Sequence, residues 1–431
     1  MPLRLLEKAK QYLQNREKPS ENYLSAWAVG SSGYLKLKSL QANKVNGKLI
    51  FKSYIRHLID LGYEKKSDFE LTPRNIVTKN VIISWCFKND FLKDGSFECR
   101  YFKCNSRTTQ NAIWILISID NYRPPSKDDN LHIFTKESGK FSILTLGKNG
   151  IFLLWNRLPL SSESIFSKKF SDAFVVKVKT ECLETVVIPY EAQPWQHALS
   201  LALKKRNTNL RIIGDLHSCL PPLPTDFIKR YGAPDTVIVH GQGQKDIMVN
   251  LLGWRQEEIE VSPSRRFTEG KDAHLVNKIL LPYTFKNAEF YLKKLKMLFE
   301  RHSNSLPFLE VRNHPTQTLS AMHRTLIEGI ETLRDTHLDA SHHSVNTKVA
   351  VVIGASSAII ECLTHGIKVF QIVEDPIFES YSHLIWTDLS VTYLDENIVA
   401  YDLKKKSTYL DLGTGPSNEK ATDSNKCVVS V

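Results

Sequence analysis

The strongest constraint on the fold is a succession of short, uninterrupted apolar runs separated by polar, helix-like stretches. A first series comprises NVIISWCF from Asn80, AIWILISID from Ala112, FSILTL from Phe141, ETVVIPY from Glu184, LRIIGDLHS from Leu210 and DTVIVHG from Asp235. Continuous rather than alternating hydrophobicity marks strands buried on both faces, as in a parallel sheet covered by helices. After the polar stretch SPSRRFTEGKDAH at Ser262, a second series reads KILLPYTF from Lys278, FLEVRNHP from Phe308, VAVVIGASS from Val349 and KVFQIVED from Lys368. Helical segments at 287–302, 318–334 and 358–365 lie between these strands. Strand–helix alternation in two series predicts an α/β chain with two Rossmann-like domains, residues 1–265 and 266–403, joined by a linker near 262–275. The opening 75 residues read as helical and peripheral. From residue 404 the sequence loses apolar periodicity, which predicts a disordered tail over 404–431.

A chain of 431 residues is too long for one compact core and suits two such domains. No run approaches the roughly 20 apolar residues of a membrane-spanning helix, and the N-terminal residues lack an export h-region, so a cytoplasmic protein is expected. Its seven cysteines have no CxxC spacing, which argues for reduced thiols and against a metal site or disulfide framework. The formal charge of +11 favours anionic partners: a nucleotide, an acidic sugar or a peripheral anionic membrane surface. Nucleic acid is not expected, because the basic residues are spread out and no nucleic-acid-binding motif is present.

The most informative segment is GASSAIIECLTHGIKVF, from Gly354. A buried strand ends in small residues, a helix starts at Ser356 and Ser357, and Gly366 closes it before the next strand. Small residues let a ligand approach the backbone, and a helix N-terminus offers free N–H groups to phosphate. Glu361, one turn deeper, is placed to accept from ribose hydroxyls. Otherwise Ser356 simply caps the helix and Glu361 is a surface charge. One strand–helix unit earlier, Arg312, Asn313, His314 and Pro315 end a strand, where the crevice of an open α/β sheet lies.

Five further positions are candidates. Glu191 follows ETVVIPY at its C-terminal end, where catalytic groups gather, although a helix-capping role is the plainer reading. Asp215 and His217 also sit at a strand end, the first as a further cleft carboxylate and the second as a substrate contact. Arg265 and Arg266 are suited to grip a phosphate or sugar carboxylate through forked hydrogen bonds.

The His314-Pro315 and Ser356-Ser357 elements resemble the HP and Ser-Ser/Thr motifs of bacterial transferases that use CMP-activated acidic sugars. These are the GT-B-fold sialyltransferases and the Kdo transferases of capsule and lipopolysaccharide assembly. Residues 80–375 are also similar to bacterial proteins of surface-carbohydrate biosynthesis, through KDGSFECRYF from Lys93, PYEAQPWQ from Pro189, the HS of GDLHS and SPSRRF. The resemblance implies two Rossmann-like domains facing across a cleft, the C-terminal one holding the donor and the N-terminal one the acceptor. It also implies that His314, Ser356 and Ser357 contact CMP. Asp94-Gly95 resembles the acidic motif that carries the catalytic acid in the sialyltransferases, but Lys93 replaces its first acidic residue. The alternative for Asp94 is a plain Asp-Gly turn.

The expectation is therefore a glycosyltransferase moving Kdo or a sialic-acid-like sugar from a CMP donor to a surface glycan or glycolipid, without a metal or other cofactor. Asp94, Glu191 and Asp215 are its candidate catalytic carboxylates. The competing readings are a UDP- or GDP-sugar transferase or epimerase of the same fold, and a catalytically degenerate scaffold subunit of a polysaccharide complex.

Overall fold

The computed structural model describes residues 1–14, 24, 32–42, 47–70, 76–107, 109, 111–119, 122, 130–156, 161–270, 272–282, 285, 287–302, 306–313, 320–338, 348–405 and 407–413. The chain begins with α1 (Pro2–Gln14), α2 (Ser32–Ala42) and α3 (Gly47–Leu61), then β1 (Tyr63–Glu70) and β2 (Asn80–Cys86). A small hairpin, β3 (Glu98–Cys99) and β4 (Cys104–Asn105), precedes β5 (Ile113–Ser118), β6 (Leu131–Phe141), α4 (Ile143–Trp155) and α5 (Ser162–Lys177). Next come β7 (Thr185–Pro189), α6 (Pro194–Arg206), β8 (Arg211–Asp215), β9 (Thr236–Val239), α7 (Gln242–Leu252) and β10 (Ile259–Val261). The second half holds β11 (Ser264–Thr268), β12 (Lys278–Leu280), α8 (Ala288–His302), β13 (Glu310–Arg312), α9 (Ala321–His337) and β14 (Val349–Ile353). It closes with α10 (Ala358–Thr364), β15 (Lys368–Ile372), α11 (Pro376–Glu379), β16 (Leu389–Tyr393), β17 (Ile398–Leu403) and β18 (Leu412–Gly413).

The fold is α/β, and the two series of strands form two separate sheets. The first has eight strands in the order β1-β6-β5-β2-β7-β8-β9-β10, all parallel except β1. The second has the order β13-β12-β14-β15-β17-β16, parallel from β13 to β15 and antiparallel beyond. The apolar runs at β2, β5, β7, β14 and β15 are almost wholly buried, because helices or loops cover both faces. Among the described residues, no helix is long and apolar enough to cross a membrane.

Three expectations fail. The run FSILTL is not a strand: Ser142 caps α4, its side chain accepting from the Thr145 N–H, and the helix continues through Trp155. A short apolar run carries no periodicity that separates strand from helix. The strand next to it is the polar stretch of β6, paired with β1 in an antiparallel ribbon.

The opening residues are not peripheral either, since α1 buries Leu5, Leu6, Ala9 and Leu13 in an apolar cluster that extends into both sheets. Leu24, Tyr34 and Lys38 between them touch both halves. The Leu24 carbonyl accepts from Thr225, and Asp375 takes the Tyr34 hydroxyl at 2.9 Å and the Lys38 ammonium at 2.8 Å.

The third correction concerns the C-terminal residues. Residues 407–413 pack back on the first half instead of forming part of a disordered tail; 414–431 lie outside the described residues. β18 pairs in parallel with β11, so the expected linker is itself a strand. Gly243 N–H donates to the Thr408 carbonyl at 2.7 Å, and Gln244 Nε2 to the Tyr409 carbonyl at 2.7 Å. A Cβ on Gly241 would lie 2.5 Å from Tyr409 backbone, so glycine is needed there for close approach. The N-terminus of α7 is thereby filled by the chain itself.

Candidate functional site

Parallel pairing brings the carboxyl ends of β7, β8 and β9 to one edge of the first sheet, with Pro189 opposite Asp215 and Asp215 opposite Ile238. Glu191, Asp215, His217 and His240 therefore gather along that edge. Glu191 is not a helix cap. Gln196 takes that role, its Oε1 accepting from the backbone N–H of Gln193 at 2.9 Å and of Glu191 at 3.1 Å. Ala192 is held at φ +56°, and its carbonyl accepts from Arg230 Nη2 at 2.9 Å. A non-glycine residue in this region costs energy, so surrounding bonds must hold it there.

The carboxylate of Glu191 is left free to face His217. Its Oε1 lies 3.2 Å from His217 Nε2, and its Oε2 accepts from Gln193 Nε2 at 2.6 Å. The Glu191 side chain is 38% exposed, whereas that of His217 is 5% exposed. The imidazole packs edge-on against Tyr101 at 4.6 Å and Trp85 at 6.2 Å between ring centres. His217 Nδ1 has no hydrogen-bond partner among the described residues. This pair has an accessible carboxylate held in place by a buried base.

Asp215 forms a second, buried pair, with Oδ1 3.6 Å from His240 Nε2; His240 Nδ1 meets the Ser262 carbonyl at 2.9 Å. Both partners are buried.

On the second sheet, Arg312 ends β13 and its Nη1 donates to the His274 carbonyl at 3.1 Å. Glu361 Oε1 lies 3.3 Å from His274 Nε2. Burial lowers the pKa of Arg312, with Glu361 opposing that shift and Arg266 adding to it. Burial also pushes the Cys219 thiol up, with Glu361 raising it further and Arg266 pulling it down. Burial again raises the Tyr101 phenol, with Glu191 reinforcing and Arg266 opposing. Arg266 thus acts electrostatically on Tyr101 and Cys219 of the first half and on Arg312 of the second. Arg266 shares Tyr101 with Glu191, and shares Cys219 and Arg312 with Glu361.

Asn313 is exposed, just beyond Arg312, and Arg265 lies half-buried in β11. Ser356 Oγ accepts from the Ala358 N–H at 3.2 Å, and Ser357 begins α10 without a side-chain capping bond. Gly354 needs its glycine for φ +73°. His314 and Pro315 lie outside the described residues. Asp94 occupies the turn: its Oδ1 accepts from Ser96 N and Oγ at 3.0 and 2.7 Å, and Arg107 Nη1 meets its Oδ2 at 2.6 Å. The Ser96 hydroxyl holds its carboxyl below the usual range, with Arg107 adding to the effect. These bonds hold the Asp94 carboxylate in the turn.

Sequence reasoning missed His240, His274, Tyr101 and Arg230. A histidine directly after DTVIVHG's apolar run carried the same strand-end signal as His217. The others come from loops whose approach depends on tertiary contacts. Among the described residues, no three His, Cys, Asp or Glu side chains converge as a metal site requires.

Beneath the Glu191 loop, burial raises Asp226 to about 7, with Arg230 opposing and Glu191 reinforcing. The folded state therefore holds this proton over a range in which the unfolded chain has released it. Its contribution is complete below about pH 4 and is lost as pH rises through about 7, on the order of 4 kcal/mol. Glu379, raised to about 7 chiefly by burial, acts with the same sign. Denaturant midpoints across this range are expected to fall with rising pH, and Asp226→Asn to flatten the slope. An unchanged slope in that variant would rule out Asp226 as its source.

No protein-family model matches the chain, and no curated protein sequence matches it.

Proposed function

We propose that the chain is a glycosyltransferase whose two sheets belong to Rossmann-like domains facing across a GT-B-like cleft. It transfers an acidic sugar, Kdo or a sialic-acid-like sugar, from a CMP donor to a glycan or glycolipid acceptor on the cytoplasmic side. The supporting observation is the accessible Glu191 carboxylate, braced by His217 at 3.2 Å on the carboxyl edge of the first sheet. Glu191 takes the acceptor proton while the acceptor oxygen attacks the anomeric carbon. The bond from that carbon to the phosphate oxygen breaks, and its electron pair leaves on CMP. The guanidinium groups of Arg266 and Arg312 stabilise the phosphate charge, and the Ser356–Ser357 turn contacts it from the backbone side. Attack by Glu191 itself, forming a glycosyl–enzyme, uses the same geometry with retention.

Thermal shift with CMP, UDP and GDP tests the donor. A nucleotide at 100 times its Kd stabilises by about 2.7 kcal/mol. CMP is expected to give the largest shift. Arg312→Ala is expected to weaken it by about 1.5–3 kcal/mol, the value of a hydrogen bond to a charged group. Unmoved melting with all three nucleotides would overturn the donor assignment.

A further inference from the structure

The face built by α3 and α4 carries an observation that the proposed reaction does not use. Helix α4 exposes Ile143, Leu144, Ile151, Leu154 and Trp155, with Ile143 at 78% and Trp155 at 88%. At 3.6 residues per turn, all five fall within an arc of about 120°. The opposite side of α4 is anchored by Leu153, which packs with Leu61 and Ile165. Helix α3 adds a stripe of exposed Phe51, Ile55 and Ile59 at a spacing of four residues, and Phe141 is exposed just before α4. An apolar surface of this extent marks an interaction site, because water is a poor solvent for it.

Charge identifies the occupant. Residues 43–66 contain six Lys and Arg against two acidic residues, and residues 136–155 contain three Lys against one Glu. These two short segments hold more than half of the net charge of +11. Lys148 borders the apolar arc of α4 about 20° beyond Trp155, and Lys140 and Arg56 are also exposed. The exposed residues of α4 include no carboxylate. A second copy of this face would bring cations together, whereas an anionic bilayer offers hydrocarbon to the apolar side chains and negative headgroups to the cations. Trp at the end of an amphipathic helix also suits the headgroup boundary.

We propose that α3 and α4 form an interfacial anchor that lies in the surface of an anionic lipid bilayer, with Ile143, Ile151, Leu154 and Trp155 inserted. The inference stands apart from the transfer reaction and holds for any acceptor.

Sedimentation of the full chain with lipid vesicles tests it, using phosphatidylcholine alone or with about 30% phosphatidylglycerol, at ionic strengths of about 0.15 M and about 0.5 M. Cosedimentation is expected with the anionic vesicles and is expected to weaken at the higher salt. Leu154→Ser with Trp155→Ser is expected to lower partitioning at least about tenfold with an unchanged circular dichroism spectrum, since both side chains are exposed. Lys140→Glu with Lys148→Glu is a second variant that keeps the apolar face and is expected to lose the preference for anionic lipid. The proposal is overturned if the parent chain stays in the supernatant with anionic vesicles, or if both variants sediment like the parent. It is likewise overturned if light scattering shows a dimer that the Trp155 variant dissolves while the parent ignores lipid.

Discussion

Glu191→Gln is expected to lower sugar transfer by a factor of about 10²–10⁴, the usual contribution of a general base, and by more if Glu191 is the nucleophile. The amide keeps the size of the side chain and can still face His217, so folding is preserved while the accepting charge is lost. Nucleotide binding is expected to survive, because Arg312 and the Ser356–Ser357 turn belong to the other sheet. The assay uses CMP-Kdo and CMP-sialic acid donors, with thermal shift to follow CMP. Asp94→Asn is the matched control. Its carboxylate is engaged by Ser96 and Arg107 in an exposed turn, so transfer is expected to stay near the parent rate. Intact-protein mass spectrometry with donor alone separates the two roles of Glu191, since only a retaining double displacement leaves a sugar adduct. Parent-rate transfer by Glu191→Gln would dismiss the carboxylate.

Tyr409→Ala is expected to cost about 3–5 kcal/mol of stability, the range for deleting a buried aromatic side chain. The Tyr409 ring lies 4.9 Å from that of Trp386, and its hydroxyl accepts from the Asp388 N–H at 2.9 Å. Its carbonyl accepts from Gln244 at the start of α7. The residue thus joins the second half of the chain to the first, and its loss opens a cavity where both meet. Tyr409→Phe keeps the ring and removes only the hydroxyl, so a loss of about 1 kcal/mol is expected. Urea midpoints for the two variants measure the difference. Equal midpoints for Tyr409→Ala and the parent chain would mean that residues 407–413 do not hold the halves together.

The separate sheets and most of their strands were legible because a strand buried on both faces must be apolar along its whole length. NVIISWC at β2 and VAVVI at β14 meet that demand wherever they sit. The ends of those strands were legible too, so Glu191, His217 and Arg312 could be nominated without coordinates. FSILTL was misread because six apolar-rich residues satisfy a strand and a helix equally, and the Ser142 cap decided between them. The polar β1–β6 ribbon was invisible because its pairing partners lie more than 60 residues apart, and backbone hydrogen bonds carry no side-chain signature.

By itself, the sequence determined the α/β class, where most buried strands lie along the chain and the residues at their carboxyl ends, since these follow from local hydrophobicity and chain direction. Only the tertiary structure decided what those residues meet. Glu191 could have capped α6, but Gln196 fills that position and turns the carboxylate to His217. Glu361 could have been a surface charge, but the fold sets it against His274 from the segment between the sheets. Residues 407–413 read as a tail because their few apolar residues, chiefly Tyr409 and Leu410, show no period. They are buried because β11, Trp386 and the glycines before α7 present a complementary surface. Hydrophobic pattern is a property of the chain, whereas a pairwise contact depends on which distant residues the fold brings within bonding distance.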